Sequence, residues 1–485
     1  MSKKKEHVFL DLRGVNDVEQ NIKFSRIAGI VAEHCESDLI IMPGFKLKNK
    51  KAIFNGRFKL INPWLFMAKA FFRSFFQVVG ALLSIGDGKK LYELKLKGMS
   101  PGVHIYDTLL KKKGVASIDS FSVKDRCLLA FEIVYFYGIF NFLSNGFFSY
   151  LVLPDNAYHH GLDFICAEKL QLKTIAGINL QNMSMHKYVV SESFKLHCCT
   201  PDQEVLSLLE TKKDFIIKMT DEFLNIRYSG KEQQHDTLRA YRQDKHNTSR
   251  EELVDKYKLD PSKKIVFVMA HIFQDAPHAL PGMYFRDYKN WLQVTCLELA
   301  KNHEVEFLVK EHPSIDIYNE YGVIEDVLDQ IDCKHKVLDK DINTASLFGV
   351  ADVIVTCGGT AGLEFACAGT PILLASKPPY ACFGCVKTTS SCEEYVRELS
   401  NLHNYSKLSK GEQDMMKLIL FAMTFINSPA QQLCEGKMDR LAVNVNSLEF
   451  SNLLHDFLYA KTCNLLNINM LNNIFGIGYD AFKPI

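Results

Sequence analysis

The stretch DVIVTCGGTAGLEFACAGTPILLAS, Asp352–Ser376, decides the fold. DVIVTC is short, apolar and β-branched, and reads as a buried strand ending at Cys357. Gly358 and Gly359 permit a tight turn, and Thr360 opens a helix. Gly369 stands where that helix must end, and Pro371 begins a second strand. Strand, turn, helix and strand in this order form a βαβ unit, so the two strands run parallel.

The same rhythm extends outward. In the second half, strands are expected at KIVFVMA (264–270), VEFLVKE (305–311), KHKVLD (334–339), DVIVTC (352–357) and PILLAS (371–376). Helices fall between them, at about 288–302, 321–330, 343–348 and 360–368. This predicts a doubly wound parallel sheet. The first half also alternates, with strands at Val8–Leu12, Asp38–Gly44 and FFSYLVL (147–153) and helices at about 18–34 and 123–143. Residues 212–260 are polar and read as a linker with short helices, one capped by Thr248 or Ser249 ahead of Glu251 and Glu252. The end of the chain looks helical. We therefore expect an α/β protein with domains at 1–245 and 246–405 and a helical segment at 406–485.

Composition narrows the function. The chain has 485 residues and a formal net charge of +1, which argues against a nucleic-acid binder. The 14 cysteines follow no framework and sit mostly in apolar runs, as thiols do in a reducing compartment. The start, MSKKKEHVFLDLRG, has no apolar stretch of signal-peptide length. A cytoplasmic location is expected.

Two segments bear on membranes. Ile133–Pro154 carries no charge, but SNG (144–146) divides it into a helix and a strand. Pro63–Ile85 reads as a helix with Trp64, Leu65, Phe71, Phe72, Phe75, Val79 and Leu82 at helical spacing, and Lys69 and Arg73 four apart. It either packs into the core or lies on a membrane surface with its cations toward the headgroups.

Chemistry concentrates at the carboxyl ends of the strands. The Gly358–Gly359–Thr360 turn brings bare amides to a helix start, a ready anion site. Glu364, one turn in, can accept hydrogen bonds from ribose hydroxyls. The turn is neither the dinucleotide fingerprint nor a P-loop. FLVKEHPSIDIY brings Lys310, Glu311 and His312 to the end of another strand. VFVMAHIFQDAPHALPG (266–282) adds His271, Asp275 and His278, with His278 expected to touch the ligand because Pro277 fixes the turn before it. In the first half, Asp155 follows a strand and His159 and His160 follow it, where a general base is wanted. Asp11 and Asp107 are further candidates, and Asp163 and Glu168 read as helix-surface charges. No metal is expected. Pro277 interrupts a His271–Asp275–His278 ligand set, and Cys382-x-x-Cys385 has no partner pair.

These residues resemble those of GT-B glycosyltransferases, and more narrowly bacterial capsule and lipopolysaccharide enzymes of the Kdo-transferase type. AHIFQDAPH, RDYKNW and VKEHPSIDIY carry the resemblance, together with GGT, Glu364 and GTPIL, over about 245–385. It implies two Rossmann-like domains facing across a cleft that closes on the substrates, with C-terminal helices crossing back to the first domain. It implies a nucleotide-activated sugar donor (CMP-linked donors being one form) and a glycan or glycolipid acceptor. Lys310, His312 and Gly358–Thr360 would hold the donor phosphate and Glu364 the ribose. The enzyme would then work without metal or cofactor, at the inner face of the cytoplasmic membrane through 63–85. A UDP-sugar 2-epimerase, a CDP-alcohol phosphotransferase and a non-catalytic membrane-associated assembly factor remain as alternatives.

Overall fold

The structure, a computed structural model, describes residues 6–15, most of 21–45, 58–179, 184–188, 203–211, 213–230, 239–279 and 281–423. The chain divides into two compact units. One is drawn from 1–109 and 120–199, the other from Leu110–Asp119 and Thr200–Thr424. Each is an α/β structure on its own sheet.

In the first unit the strands are β1 His7–Asp11, β2 Asp38–Met42, β3 Phe58–Leu60, β4 Phe148–Leu153, β5 Lys173–Asn179 and β6 Ser184–Tyr188, in the order β3-β2-β1-β4-β5-β6. All neighbours pair parallel except β5 with β6. The chain runs outward from β1 on one side and from β4 on the other. The order therefore reverses between them, the place where open α/β sheets leave a crevice at their carboxyl ends. SNG does end a helix: Val123–Asn145 stops at Gly146 and β4 follows. The described residues of the expected 18–34 helix are helical.

The Pro63–Ser84 helix departs from the core-packing expectation. Its buried stripe is Pro63, Met67, Ala70, Ser74, Val78 and Ala81. The small side chains among them, Ala70, Ser74 and Ala81, allow close approach to the Val123–Asn145 helix, where a Cβ on Gly138 would stand 2.7 Å from that of Ala70. The large apolar residues point outward: Phe72 is 81% exposed, Phe76 84% and Leu83 82%.

In the second unit the strands are β7 Lys264–Met269, β8 Val305–Lys310, β9 Val353–Thr356, β10 Ile372–Leu374 and β11 Lys387–Thr388. All are parallel, in the order β11-β10-β9-β7-β8. The order reverses between β7 and β9. The core between this sheet and its helices centres on Trp291, whose indole N–H donates to Tyr395 Oη at 2.8 Å. The expected strand at 334–339 is instead a 3₁₀ turn, Lys334–Lys336, followed by one bridge from Val337 to Val309. Three consecutive basic residues there have no apolar face to bury, so no strand extends.

The described residues between 203 and 245, expected in the first domain, pack in the second unit. The helices Gln203–Glu210 and Lys213–Tyr228 lie against Lys410–Phe421, with Leu206, Leu209, Ile216 and Leu224 buried and Lys417 paired to Asp221 at 2.6 Å. Residues 424–485 of the expected C-terminal helical segment lie outside the described residues.

Candidate functional site

The crossing point of the second sheet holds a cavity. β7 runs out at Met269 and delivers His271, while β9 runs out at Thr356 and delivers the glycine turn. The two meet directly. The backbone N–H of Cys357 donates to His271 Nε2 at 3.2 Å, and Thr356 Oγ1 lies 3.0 Å from the same nitrogen. A nitrogen that accepts an amide proton has none of its own, so the imidazole is the neutral Nδ1–H tautomer. Burial first, then His312, pushes its pKa down to about 3, in agreement. The ring stacks on Tyr288 at 4.4 Å and meets the edge of Trp291 at 5.8 Å. His271 lines the cavity, and among the described residues Nδ1 has no hydrogen-bond partner.

The Thr360–Cys367 helix opens at Gly359 without a side-chain cap, so the amides of Thr360 and Ala361 stand at the cavity wall. Tyr380 Oη donates to the Gly359 carbonyl at 2.7 Å. Gly362 is required beside it, because a Cβ there would come 2.5 Å from that hydroxyl.

Lys310 ends β8 and is 4% exposed. Among the described residues its ammonium has no hydrogen bond or ion pair. Burial, then the Lys245 charge, pushes its pKa down to about 7. A buried cation with no counter-ion is costly unless a ligand supplies one. His312 follows, and its Nδ1 accepts from Ser314 N–H at 3.2 Å, so Nε2 carries the proton in the neutral ring. Lys310 and His312 also wall a second cavity of about 480 Å³, to which Arg239, Arg242, Lys245 and Lys340 contribute.

Glu364 lines the first cavity but is already engaged. Arg227 Nε donates to one oxygen at 2.7 Å and Tyr241 Oη to the other. Burial and Glu364 hold the Tyr241 phenol well above its ordinary pKa, so it remains a donor. Asp275 and His278 lie outside the cavity lining. Asp275 is exposed and 3.6 Å from Lys111, and His278 Nε2 donates to the Phe285 carbonyl at 3.0 Å. Gly358 belongs to the turn without facing the cavity, whereas Gly359 and Thr360 face it. Among the described residues no three His, Cys, Asp or Glu side chains gather as metal ligands.

Sequence reasoning passed over Arg227, Arg239, Tyr241, Arg242 and Lys245, all in the stretch read as a linker. The run RAYRQDK (239–245), basic and aromatic within polar surroundings, was the available signal. Residues 204–413 match the model of one family, the capsule polysaccharide biosynthesis proteins. The matched region includes every wall of both cavities. No curated protein matches the chain. Among solved structures, the chain is similar to the KpsC beta Kdo 2,4 transferase of Thermosulfurimonas dismutans, at 13% identity over 57% of this chain and 79% of that one, TM-score 0.30. It is also similar to a putative UDP-N-acetylglucosamine 2-epimerase of Listeria monocytogenes (11%, 86% and 91%, TM-score 0.26) and a glycosyltransferase of Rickettsia africae (10%, 96% and 100%, TM-score 0.29).

The first unit has a polar cluster where its own strand order reverses. After β4, Asp155 accepts from Ala157 N–H at 3.0 Å and lies 3.2 Å from His160 Nδ1. His160 is buried, and its Nε2 has no partner among the described residues. His159 stacks edge-on against His160 at 4.4 Å and packs on the loop after β1, where a Cβ on Gly14 would strike it. Asp163 is no surface charge. It is fully buried, and Tyr135 Oη bonds to it at 2.7 Å and also to Asp11. One phenolic proton cannot serve two carboxylates. Burial, then the Asp11 charge, holds Asp163 well above the ordinary carboxyl range, so the second proton resides there.

Proposed function

We propose that the protein is a glycosyltransferase that moves a sugar from a nucleotide-activated donor to a growing cell-surface glycan, the donor being held by the second unit. The observation that carries this reading is Lys310, a buried amine with no ion pair or hydrogen bond among the described residues, in a cavity shared with the Gly359–Ala361 amides and the His271 Nδ1–H. All are donors, and all suit an oxyanion. Sugar transfer needs its departing phosphate stabilised as the anomeric carbon becomes oxocarbenium-like. Fixed dipoles and cations at one place do this without a metal ion. The neutral His271 adds a hydrogen bond without adding charge. Glu364 fits a positioning role best, fixing Arg227 and Tyr241 in the wall, and can still accept from a ribose hydroxyl.

The acceptor, a glycan or glycolipid, requires a base to take its hydroxyl proton. Asp155 is the candidate base, since its carboxylate is partly exposed at the end of β4, and the buried His160 positions it through Nδ1 at 3.2 Å. His159 is the alternative base. A peripheral position at the inner face of the cytoplasmic membrane, through the Pro63–Ser84 helix, completes the reading.

The test is a thermal-shift screen of CMP-, CDP-, UDP- and GDP-linked compounds, repeated on Lys310→Met and Glu364→Ala. One nucleotide class should raise the melting temperature of the wild type and lose most of that effect in Lys310→Met. Absence of any shift, or equal shifts in the variants, removes the donor site. Consumption of a nucleotide sugar with no acceptor present turns the reading toward an epimerase.

A further inference from the structure

We infer that the first unit carries a binding groove for an anionic phospholipid, and that the Pro63–Ser84 helix lies flat on the bilayer beside it. The inference rests on the peripheral position proposed above and sharpens it to a lipid class. The groove, about 400 Å³, lies between this helix, the β2–β3 edge and the Val123–Asn145 helix. Its walls are of two kinds. Leu65, Phe66 and Phe142 make an apolar slot. Lys59, Lys69 and Arg73 bring three cations to it, and no carboxylate lines it. Among the described residues none of the three cations has an ion pair or hydrogen bond. An apolar slot with an uncompensated cationic rim matches a molecule that joins an acyl chain to a phosphate.

The helix supplies the second, independent observation. The helix kinks at Ser74, and on both arms large apolar residues face away from the buried stripe, Leu65 and Phe72 before the kink and Phe76 and Leu83 after it. The remaining exposed aromatics flank them, and Lys69 and Arg73 border them on the groove side. A soluble surface does not normally present so broad an apolar patch, whereas a helix in the interfacial plane does. The helix is long and apolar enough to cross a bilayer. Yet Lys69 and Arg73 would then lie near the bilayer centre, where each costs roughly 3 kcal/mol. Lying flat, it places both at headgroup depth.

Flotation of the full-length protein with vesicles tests this. One set is phosphatidylcholine alone and the other phosphatidylcholine mixed with phosphatidylglycerol. The wild type should float with the mixed vesicles and much less with phosphatidylcholine, and the difference should shrink at high salt. The Lys59→Gln/Lys69→Gln/Arg73→Gln variant should partition about 100-fold more weakly, at roughly fivefold per charge. Phe72→Ser/Phe76→Ser should lose flotation on both sets. Circular dichroism melts check that the variants fold, and the salt dependence of the wild type stands even where one does not. Equal, salt-independent binding to both vesicle types overturns the groove and leaves the peripheral position intact. Flotation with neither set overturns both.

Discussion

The backbone N–H of Cys357 is aimed at Nε2 of His271 across 3.2 Å, so the end of β9 sets which ring nitrogen carries the proton in a side chain delivered by β7. One hydrogen bond thus joins the two strands at the reversal point and turns the other ring nitrogen, as a donor, toward the cavity.

Burial of the same ring makes stability depend on pH. The folded His271 has a pKa of about 3, below the ordinary value of 6.5. The unfolded chain therefore binds a proton that the folded protein refuses. The contribution is whole above pH 6.5 and is lost as the pH falls toward 3. By pH 5 the loss should be at most about 2 kcal/mol. Urea unfolding at pH 7.5 and 5 should show a drop in the wild type that is smaller in His271→Gln.

Lys310 should take up a proton when an anion arrives. With a pKa of about 7 it is mostly neutral at pH 8. A bound phosphate restores the ordinary preference for the charged form. Titration calorimetry at pH 8 in buffers of different ionisation enthalpy should show uptake approaching one proton per donor nucleotide, and none in Lys310→Met. Affinity should fall as the pH rises past 7.

Gly362→Ala should be destabilising because of a single neighbour. The new methyl would lie 2.5 Å from the Tyr380 hydroxyl, itself fixed on the Gly359 carbonyl. A cost of about 1–3 kcal/mol is expected. The double variant Gly362→Ala/Tyr380→Phe should recover part of the melting temperature and little of the nucleotide affinity, because the glycine turn then loses its tether.

Asp163→Asn should raise stability at neutral and alkaline pH. The folded state keeps this carboxyl protonated, whereas the unfolded chain releases the proton near pH 4. Wild-type stability is thus fully present below pH 4 and declines as the pH rises toward the folded pKa. A melting temperature that falls from pH 5 to 8 in the wild type and falls less in the variant is the expected pattern.

Four of the five strands of the second sheet were legible in the sequence because each is an apolar run ending in a turn signal, and a parallel strand is buried on both faces; β11, the polar pair Lys387–Thr388, carries no such signal. His271, Lys310, His312 and the glycine turn were legible for the same reason: they stand directly at strand ends. Asp275 and His278 share that loop but leave the cavity, since Glu320 accepts from the amides of Phe273 and Gln274 and bends the chain away. Arg227 could not be read, because only the packing of 203–228 on 410–421 brings it to the site, whereas Tyr241 stood in the RAYRQDK run whose signal was passed over. Asp163 misled because helical spacing does not reveal a partner such as Tyr135 on another helix. The face of 63–84 was left open between core and membrane surface, because periodicity gives the angle between two stripes and not which of them meets protein.

The ten residues 110–119 have a consequence for how the protein is made. They belong to the second unit, where Ser117 Oγ donates to Asp287 at 2.7 Å and Arg286 reaches the same hydroxyl at 2.9 Å. Asp287 in turn caps the helix that carries Tyr288 and Trp291 against His271. A piece of the second unit therefore leaves the ribosome well before the rest of it and must wait. Cutting the gene at residue 200 does not yield a complete second unit. A stand-alone version has to carry 110–119 as well, by fusion or by co-expression.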